Sequence, residues 1–231
     1  MSQVLKQIQK ELRDHADPAK AAFFPGFFKA SYSKNDKFLG VTVPKQRTVV
    51  KKYQSLASLD DIKELLASPW HEERLTALFL LVWQFKKTSD KKTHVDFYLA
   101  NKTGVNNWDL VDSSAYHILG TWLLDKDRRL LYEMAKSPDI WERRIAIVAT
   151  MAFIRAGQTT DTFKIAEVLL NDKEDLIQKA VGWLLREAGK KDNAELKKFL
   201  DKYHKTMPRT MLRYAIERFD EQTRKHYLGK A

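Results

Sequence analysis

Five apolar-rich segments of this chain open on register residues about 35 positions apart, at Arg74, Trp108, Arg143, Gln178 and Arg213. After the first comes Leu75-Thr76-Ala77-Leu78-Phe79-Leu80-Leu81, after the third Ile145-Ala146-Ile147-Val148, and after the fourth Ala180-Val181-Gly182-Trp183-Leu184-Leu185. A spacing in this range predicts helix pairs that cannot bury their apolar faces alone and do so by stacking on their neighbours. The expected fold is therefore all-α, an α-solenoid formed by residues 1–231 as one domain. Equivalent positions of such a stack line up. Trp108, Arg143, Arg144, Lys179 and Arg213 are expected along one ribbon, a concave basic surface with aromatics between the cations.

Composition supports the helical class and narrows the partners. The 231 residues hold only 8 Gly and 6 Pro, few for a protein of many tight turns, and 44% hydrophobic residues are ample for a core. Lys and Arg number 41 against 30 Asp and Glu, a formal charge of +11 that attracts polyanions such as DNA or RNA, or an anionic membrane surface. Plain solubility would also explain such a charge. There is no Cys, which removes disulfides, thiol nucleophiles and Cys-ligated zinc. The six His are scattered without a metal-binding spacing, so no metal is expected. No apolar run approaches membrane-spanning length. Residues 1–17 carry Val4, Leu5, Ile8 and Leu12 at helical spacing beside Glu11 and Asp14, a packed first helix and not a secretory leader. A cytoplasmic protein is expected.

Along the chain, Pro18 ends the first helix. Residues 19–30 form a helix or loop around Phe23-Phe24-Pro25-Gly26-Phe27-Phe28, and 31–40 are turn-like. Pro44 opens a helix near Lys45. Ser58 caps the next, which runs through Leu66, and Ser68-Pro69-Trp70 starts another. Ser68-Pro69 before Glu73-Arg74 and Ser137-Pro138 before Glu142-Arg143 repeat one turn-then-helix pattern. Residues 88–93 and 101–107 read as loops, and 125–127, 156–158 and 190–193 separate later helices.

The most informative stretch is Asn106-Asn107-Trp108-Asp109-Leu110-Val111-Asp112. Asparagine suits a helix cap, so Trp108 falls in a first turn, with Asp112 four residues on along the same face. Each has a plain explanation by itself, a core indole and a solvated carboxylate. Their company at matching positions points elsewhere. Arg143-Arg144 can hold a phosphate by paired hydrogen bonds, and Trp108 with Trp183 offers π-faces to a base, a sugar or a cation.

These stretches carry a resemblance. Trp108-Asp109-Leu110-Val111-Asp112, Trp141 to Ile147 and Ile177 to Glu187 resemble the three signature stretches of the AlkD family, alkylpurine DNA glycosylases built from HEAT-like repeats. The likeness extends to Tyr32, Phe38-Leu39-Gly40 and Pro44-Lys45-Gln46-Arg47, and so spans most of the chain. It implies that Asp112 is the catalytic carboxylate and that Trp108 and Trp183 contact the DNA backbone around the lesion. It implies that Arg144, more than its neighbour Arg143, works with the carboxylate. Tyr32 is implied as a further DNA-contacting aromatic, with Arg47 and Arg186 as phosphate contacts. Arg143, Lys179 and Arg213 are expected to bind DNA from their places on the ribbon. The family has a second Trp where this chain has Asn107, a departure at the rim of the site.

The implied activity is hydrolysis of the N-glycosidic bond of N3- or N7-alkylated purines in duplex DNA. A monomer would act without cofactor or metal, in base excision repair, while the lesion stays in the duplex. Two other readings stay open. A protein of this architecture can bind damaged or branched DNA without cutting, and a helical repeat can serve as a protein-binding scaffold.

Overall fold

The computed structural model describes residues 1–28 and 36–229. Every regular element among them is helical; the one exception to helix and turn is an isolated bridge between Lys37 and Trp70. None of these helices is long and apolar enough to cross a membrane. Backbone proximity divides the chain into two compact units, Met1–Ser114 and Ala115–Ala231.

The first unit comprises α1 (Gln3–Asp14), α2 (Pro18–Phe28), α3 (Val43–Tyr53), α4 (Leu59–Leu66), α5 (His71–Lys87), α6 (Lys91–Ala100) and α7 (Trp108–Ser114). Ser2 caps α1 through Leu5 N, and Leu5, Ile8 and Leu12 form its buried stripe. Ser58 and Asp61 form a reciprocal capping box on α4, which answers the expected cap at that residue. The stretch 88–93 is not wholly loop. Asp90 accepts from Thr93 N, so α6 starts inside it at Lys91. At the centre lies α5, buried on nearly every side from His71 to Phe85, with α3, α4, α6 and α7 packed on it.

Polar residues on α5 also hold the irregular chain before α3. The buried Glu72 carboxylate accepts from Leu39 N at 2.9 Å, Gly40 N at 2.8 Å and Val41 N at 3.2 Å. Gly40 has φ of 80°, and a Cβ there would lie 2.1 Å from the Asp17 carbonyl, so only glycine fits.

The second unit begins with a wide helical turn, Tyr116–Gly120, whose Gly120 N–H reaches back five residues to Ala115 O. It continues through α8 (Arg129–Met134), α9 (Ile140–Arg155), α10 (Thr160–Val168), α11 (Asp175–Gly189), α12 (Asn193–Tyr203), α13 (Arg209–Ala215) and α14 (Glu221–Leu228). All residues of α9 from Arg144 to Ile154 are buried, the signature of a helix surrounded by others. The wide turn, α8, α10 and α11 cover it. Next, α11 packs on α13 so closely that a Cβ at Gly182 would come within 2.5 Å of Met211 O.

The 35-residue register has a structural cause. Arg74 Nη1 donates to Ser68 O at 2.9 Å, Arg143 Nη1 to Ser137 O at 2.9 Å, and Gln178 Nε2 to Asp172 O at 3.0 Å. In each case a long polar donor in the first turns of a helix reaches back six residues and ties down the incoming loop. Three of the five register residues thus staple helix to loop, and their recurrence follows from the repeat's own construction.

Candidate active site

In the first unit the site is built on the start of α7. Asn107 is fully buried and stands just before the helix: its carbonyl accepts from Val111 N at 3.1 Å, while its Oδ1 accepts from the adjacent Trp108 N at 2.8 Å instead of from the second or third amide as an ordinary cap does. Asp109 Oδ1 accepts from Leu110 N at 2.9 Å. Leu110 and Val111 point into the core, which leaves Trp108 and Asp112 half-buried, one turn apart.

Trp108 stands on an aromatic shelf. Its indole stacks on Phe28, with centroids 5.7 Å apart and planes at 30°, and meets the edge of Phe27 at 5.8 Å. Phe28 in turn stacks on Phe38 at 5.3 Å. Phe27 is 55% exposed, so an apolar ring stands open to solvent beside Trp108. Behind Asp112, the Tyr98 hydroxyl is fully buried and bonded to Ser114 Oγ at 3.1 Å. Burial pushes that phenol well above its ordinary value, the Asp112 charge adds to the rise, and it stays a neutral donor.

Beneath the shelf lies a charged group that the sequence did not suggest. His71 is 2% exposed, its Nδ1 3.1 Å from Asp36 Oδ2 and its Nε2 2.8 Å from Asp109 Oδ2. Arg74 Nη2 meets the other Asp36 oxygen at 2.7 Å. Burial works against charge on the imidazole, but the Asp109 and Asp36 carboxylates outweigh it and hold its pKa at about 9; Arg74 opposes them. The Asp36 carboxyl is held below its usual range, its burial being outweighed by His71 and Arg74.

In the second unit, Arg144 is 5% exposed and its Nη1 donates to Leu176 O at 2.6 Å, so α9 is tied to the first turn of α11. Arg143, beside it, is engaged by the chain itself, through Ser137 O and Pro138 O at 2.9 Å each and an ion pair to Asp172 at 2.7 Å. On α11, Lys179 is 3.0 Å from Asp175 and Trp183 lies half-buried one turn on along the same face. Arg186 pairs with Glu187 at 3.2 Å and with Glu217. Arg213 on α13 is exposed. Back in the first unit, Arg47 is exposed with its guanidinium 5.2 Å from the Phe79 ring centroid. Tyr32 lies outside the described residues.

Sequence reasoning missed Phe27, Phe28 and His71. The run Phe23-Phe24-Pro25-Gly26-Phe27-Phe28 was visible as apolar and broken by Pro25, but nothing local says which ring reaches Trp108. His71 had no spacing to distinguish it from an ordinary core histidine.

The family model described as DNA alkylation repair enzyme matches residues 8–219. A solved structure from Enterococcus faecalis, named a predicted DNA alkylation repair enzyme, superimposes with a TM-score of 0.74. It covers 90% of this chain and 98% of its own at 17% identity, and so shares the fold. No match was found among the curated proteins. With a family match running nearly end to end, this chain belongs to the DNA alkylation repair enzyme family.

Proposed function

We propose that the chain is a DNA glycosylase that hydrolyses the N-glycosidic bond of N3- or N7-alkylated purines in duplex DNA, as a monomer in the cytoplasm. The observation that carries the reading is the construction of α7. A half-buried indole rests on a ring shelf, and a half-buried carboxylate follows one turn on, in a family defined by repair of alkylated DNA.

Alkylation at N3 or N7 leaves the purine positively charged, so it departs without a strong general acid. One carboxylate then suffices where ordinary glycoside hydrolysis uses two. As the C1′–N bond breaks, its electron pair leaves with the base and positive charge develops on the sugar. The Asp112 carboxylate stabilises that charge and orients a water. The water oxygen bonds to C1′ and its proton passes to Asp112 or to solvent. The products are a neutral alkylpurine and an abasic sugar. The face of Trp108 attracts the developing cation. On the second unit Trp183 offers a π-face to DNA, and Arg144, buried and bonded to Leu176 O, reaches a phosphate only by turning outward.

Among the cations of the sequence pattern, Arg47 and Arg213 are exposed, and Lys179 is partly so, paired with Asp175 one turn back on its own helix in an exchangeable surface contact; these three are assigned to the DNA backbone. Arg143 and Arg186, both paired with acidic residues, reach phosphate only by giving up those partners.

Incubation of the purified chain with duplex DNA containing 7-methylguanine tests the reading through the released base. Release in proportion to enzyme and time is expected. Tight binding of methylated duplex with no release would make the chain a non-catalytic binder, and failure to bind the duplex at all would return it to the scaffold class.

A further inference from the structure

His71 is buried, and its two ring nitrogens each face a carboxylate oxygen. A neutral imidazole has one N–H, so one of the two carboxylates would meet a lone pair. Only a ring that carries both protons donates to Asp36 and Asp109 together. Phe28, with centroids 4.5 Å apart, and Phe38, at 5.2 Å, pack against that ring. Among the described residues Arg74 is the other cation at the cluster, and it goes to Asp36. Two carboxylates against an imidazolium and a guanidinium make a neutral group. Removal of the ring proton would leave one uncompensated negative charge in the interior.

Two of these contacts run directly to α7. Asp109 is the residue after Trp108, and its second oxygen is bonded to Leu110 N, so the carboxylate joins His71 to the first turn of that helix. Phe28 lies against both His71 and Trp108. We propose that His71 is a positioning residue, an imidazolium whose paired bonds to Asp36 and Asp109 fix the first turn of α7 and so set Trp108 and, one turn on, Asp112 for reaction. This rests on the glycosylase reading for its consequence in rate, but not for its effect on Trp108. Among the described residues, the groups that face the ring are Asp36 from the segment before α3, Asp109 from α7, Arg74 from α5 itself, and the uncharged rings of Phe28 and Phe38. Loss of the ring proton as pH rises past about 9 therefore loosens α7.

The test is an NMR titration of the full chain that follows the His71 ring nitrogens and the Trp108 indole N–H together, in the wild type and in Asp109→Asn. In the wild type both signals are expected to move with one midpoint near 9. Asp109→Asn keeps the volume and a hydrogen-bond acceptor but removes the charge, so both midpoints fall together by about one pH unit or more. The rate of methylpurine release at about pH 9 relative to about pH 6.5 then drops at least about fivefold beyond the wild-type ratio. A His71 that titrates near 6.5, a Trp108 signal indifferent to it, or a shifted His71 midpoint with an unchanged rate ratio would each overturn the proposal. If Asp109→Asn does not fold, the paired midpoints of the wild type decide. If the wild type releases no base at any pH, the glycosylase reading fails and the Trp108 titration still judges His71.

Discussion

A buried histidine that donates to two carboxylates stabilises the fold only while it keeps both protons, and His71 gives that statement a direction. Its folded pKa of about 9 stands above the ordinary 6.5, so its contribution is complete below about pH 6.5 and is lost as pH rises through about 9. The shift corresponds to stability on the order of 3 kcal/mol. Urea unfolding followed between about pH 6.5 and 9.5 should show the midpoint falling in the wild type and much flatter in His71→Gln, which starts from lower stability. Parallel loss in both proteins would mean that His71 does not hold Asp36 and Asp109. Residues at this scale were unequally legible. Trp108 and Asp112 announce themselves by a local rule, an asparagine before the helix and a four-residue step. His71, Asp36 and Phe28 come from separate segments and acquire meaning only when α2 and α5 pack beside α7.

Among the elements, the sequence pattern located most helices because their causes are local: the Ser58 capping box, Pro44 in a first turn, the apolar stripe of α1. Where the expectation failed, a stronger local cause had been overlooked, as with Asp90 capping a helix inside an apparent loop. The register residues teach a different lesson. Arg and Gln that recur with a repeat suit nucleic acid, because such donors bind phosphate and bases equally well. In the folded chain Arg74, Arg143 and Gln178 spend their donors on a carbonyl six residues back, and periodicity alone could not separate the two uses. Close packing at this scale makes its own prediction. Gly182 lets α11 approach α13, and a methyl group there would meet the Met211 carbonyl and Tyr214 Cβ, each at 2.5 Å. Gly182→Ala should therefore destabilise the protein by about 1–3 kcal/mol despite alanine's higher helix propensity, as a lowered denaturation midpoint. A stabilised variant would show that the two helices part at no cost.

For the molecule as a whole, the all-helical class and the family were both readable in advance. The class came from the period and the scarcity of Gly and Pro, the family from three motifs in order. The charge of +11 makes a prediction at this scale. If about four phosphates are neutralised, affinity for duplex DNA should fall roughly hundredfold for a fourfold rise in salt, as log K against log salt. A flat line would remove DNA backbone contact from the account. The central claim is narrower, that the negative charge of Asp112 breaks the glycosidic bond. Single-turnover release of 7-methylguanine from methylated duplex, measured for the wild type and Asp112→Asn alongside their affinity for the same DNA, tests it most directly. The predicted result is a rate lower by about a hundredfold or more with affinity changed by less than about threefold; undiminished release by the variant would contradict it.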